Sequence, residues 1–319
     1  MTQLLTIWYI TDNKPGHLNQ LKGLSWQLKE CASQFGFQLK EHWYHHQDPD
    51  LNWTSLVRNK PKDPDVAKPS MIVGAGHKTH LKLIALARKF RAFSIVLMRP
   101  SLPLKLFDAA IVPLHDRPPI KPHILSTRGV LNKVKPKSSN GAQSVDKNPE
   151  ERGLILVGGQ SKHYLWNTES IVAQIIEIAD RDSAFQWTIS NSRRTPNEFI
   201  NQLEAADRTN IFFVDCQHTD GSWLPSQLQQ ASFIWVTPDS VSMVYEAITS
   251  GAPTALLDLI PSKQNRIVKG ISELVTTNMA TTYKQWQETS TITPPSVALK
   301  ESERAAQWVL NLYKQRLEP

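Results

Sequence analysis

The chain is poor in cysteine: only Cys31 and Cys216 occur among 319 residues, far apart and without a partner pattern. That excludes a disulfide framework and a thiolate metal site, and it fits a reducing cytosol. Long apolar runs are missing as well, and the opening segment Met-Thr-Gln-Leu-Leu-Thr-Ile-Trp-Tyr-Ile has no basic leader. Its apolar stretch is too short for a signal core or a membrane span. A transit peptide is excluded too, because Asp12 and Glu30 interrupt the segment and no arginine precedes Arg58. A soluble, cytoplasmic protein is expected.

Complete nucleotide fingerprints are lacking. Gly74-Ala75-Gly76 follows an apolar run, yet Thr79 stands in place of the third glycine, and the next run ends at Met98-Arg99 rather than at an acid. NAD is therefore not expected. Gly158-Gly159-Gln160-Ser161-Lys162 lacks the ending of a P-loop and reads as a tight turn, suited either to a phosphate or to plain structure. His42, His45 and His46 alternate with aromatics without a matching carboxylate set. Asp48-Pro49-Asp50 and Asp63-Pro64-Asp65 sit in proline-rich polar stretches and read as turns. No metal and no cofactor are expected.

What is present is an uneven charge. Residues 1–150 hold 22 Lys+Arg against 11 Asp+Glu, a balance of +11; the remainder hold 14 against 18, a balance of −4, which together make +7. The basic half can attract nucleic acid, anionic lipid or an acidic acceptor, or be a solvated surface without a partner. No nucleic-acid motif accompanies it and the aromatics are not interleaved with the basic residues, so an anionic membrane surface or an acidic glycan is favoured over nucleic acid. Peripheral attachment at an inner membrane is the corresponding location.

Length and a 40% hydrophobic content allow two cores. Apolar runs at 4–10, 71–73, 93–98 and 107–112 alternate with helical patterns, the first through Leu18, Leu21, Leu24 and Leu28. From Asn132 to Arg152 the pattern lapses into polar turn formers, then restarts at 153–157 and continues with strands at 185–189, 211–214, 233–236 and 254–257. Such alternation predicts α/β domains with parallel sheets. The expected layout is a first domain over 1–130, a linker or loop over 131–152 and a second domain over 153–319, with a helix over 300–317 able to pack back on the first.

Candidate site residues follow the strand ends. In the second half Gly158, Gly159, Ser161 and Lys162, then Arg193 and Arg194, then Asp239, Ser240 and Ser242 supply turns, guanidiniums and hydroxyls suited to a diphosphate. Of the two arginines, Arg193 is the narrow choice as ligand. Glu246, a turn and a half into the helix after Ser240, can accept hydrogen bonds from a ribose; the plain alternative is a helix cap followed by a solvated glutamate. In the first half Asp12 or His17 can take a proton from an attacking hydroxyl. Lys14, Gly76, His77 and His115 are placed on the acceptor side.

Asp12-Asn13-Lys14-Pro15-Gly16-His17-Leu18-Asn19-Gln20, Gly74-Ala75-Gly76-His77, Leu106-Phe107-Asp108 with His115-Asp116, Gly158-Gly159-Gln160-Ser161-Lys162-His163, Ser192-Arg193-Arg194-Thr195-Pro196 and Thr237-Pro238-Asp239-Ser240-Val241-Ser242-Met243 occur in this order. The set resembles the bacterial relatives of the plant elongated-mitochondria fission protein, a family also grouped with glycosyltransferases. Asn13 stands where that family usually has glycine and Pro238 precedes Asp239; neither change removes a proposed group. The resemblance implies a GT-B-like architecture, two Rossmann-like doubly wound domains facing across a cleft, with a nucleotide-sugar donor held mainly by the second. It makes Glu246 the match of the glutamate that binds the donor ribose in other GT-B enzymes. The expected function is metal-independent transfer of a sugar from a nucleoside-diphosphate-sugar to a glycan or lipid-linked acceptor in cell-envelope biosynthesis. A nucleotide-sugar epimerase and a non-catalytic, membrane-associated interaction protein are the alternatives.

Overall fold

A computed structural model describes residues 2–51, 68–137 and 152–318. Asp63-Pro64-Asp65 and the stretch 138–151 of the expected linker lie outside the described residues. The chain divides into two compact units, Met1–Lys133 with Lys300–Pro319, and Val134–Leu299. The terminal helix, Glu301–Leu317, therefore belongs to the first unit and not to the second. The boundary between the units, after Lys133, falls inside the expected linker or loop, whose described part is anchored to both sides of that boundary. Leu131 and Val134 are buried, Ser302 Oγ donates to the Asn132 carbonyl at 2.7 Å, and Lys137 N–H bonds the Ser250 carbonyl at 2.8 Å.

In the first unit the described residues form a six-stranded sheet of β1 (Gln3–Thr11), β2 (Phe37–His45), β3 (Met71–Ala75), β4 (Phe93–Leu97), β5 (Ala109–Pro113) and β6 (Ile124–Thr127). All pairs are parallel and the order is β2-β1-β3-β4-β5-β6. Strands β3, β4 and β5 are buried at every position, which is why they read as continuous apolar runs. Successive side chains still part to opposite faces. Ile7, Tyr9, Val73, Ile95 and Ile111 join the core beneath the helix Pro15–Ala32 and the terminal helix. Trp8, Ile10, Ile72, Val96 and Ala110 join the core beneath the helix His80–Phe90. The helix Pro15–Ala32 starts with proline in its first turn, where no amide is missed, and turns Leu21, Leu24, Leu28 and Cys31 to one face. Among the described residues no helix is long and apolar enough to cross a membrane.

His80 opens the second of these helices and is 3% exposed. Burial, with the nearby charges of His77 and His17 adding to it, lowers its pKa to about 4. The unfolded chain takes up this proton near pH 6.5 and the folded chain does not. The buried neutral imidazole therefore favours folding above pH 6.5, and that advantage fades as pH falls toward 4. Between pH 7 and 5 the wild type should lose on the order of 2 kcal/mol more stability than His80→Gln, read from denaturant unfolding at both pH values.

In the second unit the described residues form a sheet of β7 (Arg152–Leu156), β8 (Gln186–Ser190), β9 (Ile211–Val214), β10 (Phe233–Val236), β11 (Thr254–Leu256) and β12 (Thr281–Thr282). It is again parallel, in the order β12-β11-β10-β7-β8-β9. Counted within the unit this is the 3-2-1-4-5-6 winding of a Rossmann sheet. The strand order reverses between β7 and β10 here, and between β1 and β3 in the first unit. Beyond the carboxyl ends at such reversals the crossovers diverge to opposite faces and leave a crevice, the place where ligands of open α/β sheets bind.

Candidate functional site

The reversal in the second unit is built from three loops. After β7 the chain turns at Gly158-Gly159; after β8 it runs through Ser192-Arg193-Arg194-Thr195; after β10 it passes Thr237-Pro238-Asp239 into the helix Val241–Ser250. Hydrogen bonds tie them together. Gly158 N–H donates to Thr237 Oγ1 at 2.7 Å and Gly159 N–H to Asp239 Oδ2 at 3.0 Å. The Gly158 carbonyl accepts from Ser192 Oγ at 2.7 Å and from Thr195 Oγ1. Arg194 donates through Nη1 to the carbonyls of Gly159 and Gln160, at 3.2 and 2.8 Å, and through Nη2 to Asp239 Oδ2 at 2.8 Å.

The Asp239 side chain is fully buried, whereas that of Arg194 is 42% exposed. Its second oxygen, Oδ1, lies over Gly158, where a Cβ would come within 2.3 Å of it. A Cβ on Gly159 would come within 2.2 Å of the Arg194 carbonyl. Both glycines are thus required by close approach of chain to chain. Buried Tyr164 also lies near this carboxylate: burial, and after it the charge of Asp239, push its phenol up to about 12.

These bonds redistribute the expected roles. The amides of Gly158 and Gly159 donate inside the wall, to Thr237 and Asp239. Asp239 and Arg194 hold one another, and Ser161 Oγ accepts from the amides of His163 and Tyr164. What remains open is Arg193, exposed and without a hydrogen-bond partner among the described residues, exposed Lys162, and the start of the helix Val241–Ser250. No side chain caps that helix. Ser240 and Ser242 are half-buried in its first turn, and Glu246 follows on the same helix. By contrast the helices Thr168–Arg181 and Arg266–Thr276 are capped by Asn167 and Asn265. An uncapped N-terminus presents free amides and the positive end of its dipole, a setting for an anion.

Sequence reasoning passed over Ser192, Thr195 and Thr237 as site residues, although all three stand in the motifs after β8 and β10. Their signal was a hydroxyl directly beyond a buried strand, where the only nearby partners are other loops.

In the first unit the reversal lies between the ends of β1 and β3. Asp12 follows β1 with its side chain 1% exposed. Its Oδ1 lies 2.8 Å from His17 Nδ1 and accepts the Lys14 N–H at 3.2 Å. Burial acts to raise the Asp12 pKa, but the hydrogen bonds from His17 and Lys14 and the charges of both outweigh it and hold the acid below its ordinary value. An ionised carboxylate only accepts, so Nδ1 of His17 carries the proton and Nε2 is left as acceptor. Gly76, after β3, has φ +91, and a Cβ there would meet His17 Nδ1 at 2.4 Å and Asp12 Oδ2 at 2.8 Å. Asp12, Lys14, His17 and Gly76 thus form one cluster. His77 follows directly, exposed, while His115 sits apart in the turn Leu114–Asp116 after β5. Among the described residues no three His, Cys, Asp or Glu side chains are grouped to hold a metal ion.

A family model described as mitochondrial fission ELM1 matches residues 15–313. The uncharacterized protein RP120 of Rickettsia prowazekii (strain Madrid E) is 25% identical, over 78% of this chain and 82% of its own. The UDP-GlcNAc 2-epimerase of Methanocaldococcus jannaschii superposes with a TM-score of 0.57 at 12% identity, covering 96% of this chain and 100% of that one. Its complex with UDP-GlcNAc and UDP superposes at 0.51 and 13%, covering 97% and 100%. MurG of Acinetobacter baumannii gives 0.54 at 12% identity, covering 98% and 99%. At these identities the likeness is one of fold, and the fold is of the GT-B class, two Rossmann-like units in one chain. The family match extends over nearly the whole sequence, and the protein belongs to the mitochondrial fission ELM1 family.

Proposed function

We propose that the protein is a glycosyltransferase that moves a sugar from a nucleoside-diphosphate donor to a hydroxyl of a glycan or lipid-linked acceptor. The observation that carries this reading is the helix start at Ser240, without a side-chain cap, at the strand reversal of the second sheet, with exposed Arg193 in the loop after the neighbouring β8 and Glu246 further along the same helix. The helix amides, Ser240, Ser242 and Arg193 would take the charge that develops on the departing diphosphate, so that the bond to the anomeric carbon breaks without a metal ion. Glu246 would hold the ribose hydroxyls. On the first unit His17, oriented by Asp12, would accept the acceptor's hydroxyl proton at Nε2 as its oxygen attacks that carbon. GT-B neighbours that bind UDP-GlcNAc support a sugar nucleotide as the donor.

Titration calorimetry with UDP, GDP, ADP and dTDP tests the donor site. One of them should bind, and Glu246→Ala should weaken it about 10- to 100-fold, the value of a hydrogen bond to a charged group. Binding of none, or binding indifferent to Glu246, removes the reading. The likeness to UDP-GlcNAc 2-epimerases favours a second reading, epimerisation of the sugar while it is attached to the nucleotide. Incubation with the donor alone separates the two, because only an epimerase yields a stereoisomer without an acceptor.

A further inference from the structure

Two loops at the carboxyl edge of the second sheet are joined to each other across the strand that lies between them. β10 has β7 and β11 as neighbours, and all three run parallel, so the segments that leave them, 157–167, 237–240 and 257–265, emerge side by side. The outer two are bonded together. Leu165 N–H donates to the Ile260 carbonyl at 2.8 Å and Ser262 N–H to the His163 carbonyl at 2.9 Å, around an antiparallel bridge between Tyr164 and Pro261. Ser262 Oγ adds a bond to the Lys162 carbonyl at 2.8 Å. Buried Gln174 braces the second loop: its Oε1 accepts the Asp258 N–H at 2.7 Å and its Nε2 donates to the Asp258 carbonyl at 3.1 Å. Tyr164 brings the joined loops up to Asp239, the residue before Ser240. They form a strap over the end of β10, beside the start of the helix Val241–Ser250.

The strap is cationic. Lys162 and Lys263 flank the bridged segment, are exposed, and have no ion-pair partner among the described residues. His163 shares their patch: burial first, then the charges of Lys162, Lys263 and Arg266, hold its imidazole below the ordinary value. Its ring Nδ1 is buried without a hydrogen-bond partner among the described residues. Like charges gathered on a braced backbone repel one another, and a bound anion relieves that repulsion. Arg193 reaches the same crevice from the loop after β8. From β8 to β11 is three strand spacings, roughly 14 Å. Cations on two sides of one helix start suit a ligand with two linked phosphates better than one with a single phosphate. We infer that the strap holds the second phosphate of the donor through Lys162 and Lys263, and so makes the site select nucleoside diphosphates over monophosphates. This inference rests on the donor site proposed at Ser240.

The test is titration calorimetry of the whole protein with matched pairs: UDP and UMP, GDP and GMP, ADP and AMP, dTDP and dTMP. In the wild type one diphosphate should bind at least about 10-fold more tightly than its monophosphate. Lys162→Gln/Lys263→Gln should lose about 10- to 100-fold in affinity for that diphosphate and less than about twofold for the monophosphate, so the preference shrinks or disappears. Lys162→Arg/Lys263→Arg should keep the preference, since either side chain offers a positive charge to phosphate. Both lysines are exposed, so unchanged melting temperatures will show that the variants fold. Equal weakening of both nucleotides, no weakening of either, or a wild type without preference for the diphosphate each overturn the inference and leave the donor site standing. A loss seen with UDP-glucuronate, but not with UDP or UDP-glucose, would move the lysines to the sugar and overturn it as well. Binding of no nucleotide removes the donor site and this inference together.

Discussion

Replacing Asp239 with alanine should abolish nucleoside-diphosphate binding and lower the melting temperature by roughly 4–12 °C, from a loss of about 2–3 kcal/mol in a unit of this size. The carboxylate is fully buried and receives Gly159 N–H and Arg194 Nη2. Without it the glycine amide has no partner, a cost of about 1–3 kcal/mol. Arg194 is 42% exposed and can turn to water, so its share is discounted to ~1 kcal/mol or less. Binding suffers more than stability because Ser240 follows Asp239 directly, and a released loop no longer holds the helix start in place.

The neighbouring arginines should separate cleanly. Arg194→Ala leaves a buried carboxylate with one amide partner; because the guanidinium is 42% exposed and water can replace it, the cost should be about 1–2 kcal/mol rather than that of a fully buried pair. The double variant Asp239→Ala/Arg194→Ala should cost less than the sum of the single ones. Arg193→Ala removes an exposed side chain with no hydrogen-bond partner among the described residues, and its stability should stay within about 0.5 kcal/mol of wild type while nucleoside-diphosphate binding weakens about 10- to 100-fold. Thermal melts paired with calorimetry distinguish the roles. If the two arginine variants lose stability and binding alike, the assignment of Arg194 to the wall and Arg193 to the ligand is wrong.

The sheets were legible because parallel strands buried on both faces leave dense apolar runs. Ile211–Val214 and Phe233–Val236 end where the apolar runs end, and the period through Leu18, Leu21, Leu24 and Leu28 marks the first helix, which begins three residues earlier at Pro15. Elements too short to carry a period were not legible. Thr281–Thr282 is a strand only because β11 lies beside it, and Trp223–Gln230 is an eight-residue helix with a proline inside. Strand order was also hidden, since pairing across the reversals joins residues as distant as Leu156 and Val236. The return of the terminal helix could only be suspected. Its apolar positions Ala305, Val309, Leu310 and Tyr313 announce a face without naming the sheet that receives it.

Gly158-Gly159 reads in the sequence either as a phosphate turn or as plain structure; in the structure glycine is needed there so that Asp239 and the Arg194 backbone can approach. Hydrogen-bond saturation depends on partners about 35 to 80 residues away, and no local pattern encodes it. In the first unit Asp12 and His17 were alternatives on paper, and the structure joins them by a 2.8 Å contact.

Under the proposed glycosyltransferase function that pairing sets the second large effect: Asp12→Asn should lower kcat of sugar transfer by about 10²–10⁴ while leaving nucleoside-diphosphate affinity unchanged. The Asp12 pKa lies below its ordinary value, so the carboxylate's contribution to stability is present above pH ~4 and is lost as pH falls through the folded value. Over the working range it is therefore ionised and fixes the proton on His17 Nδ1. Asparagine of the same shape can turn its amide NH2 to the ring, which moves the ring proton to Nε2 and removes the base. His17→Gln should match Asp12→Asn in depth. Gly76→Ala should approach both, since its methyl would come within 2.4 Å of His17 Nδ1 and displace the ring. A purely structural role for Asp12 predicts otherwise, namely lowered melting temperature and lowered UDP affinity together with an unaltered pH profile in the surviving activity. The decisive measurement is kcat against pH for wild type, Asp12→Asn and His17→Gln, with UDP calorimetry on the same preparations; preserved turnover in either variant would take the general base away from this pair.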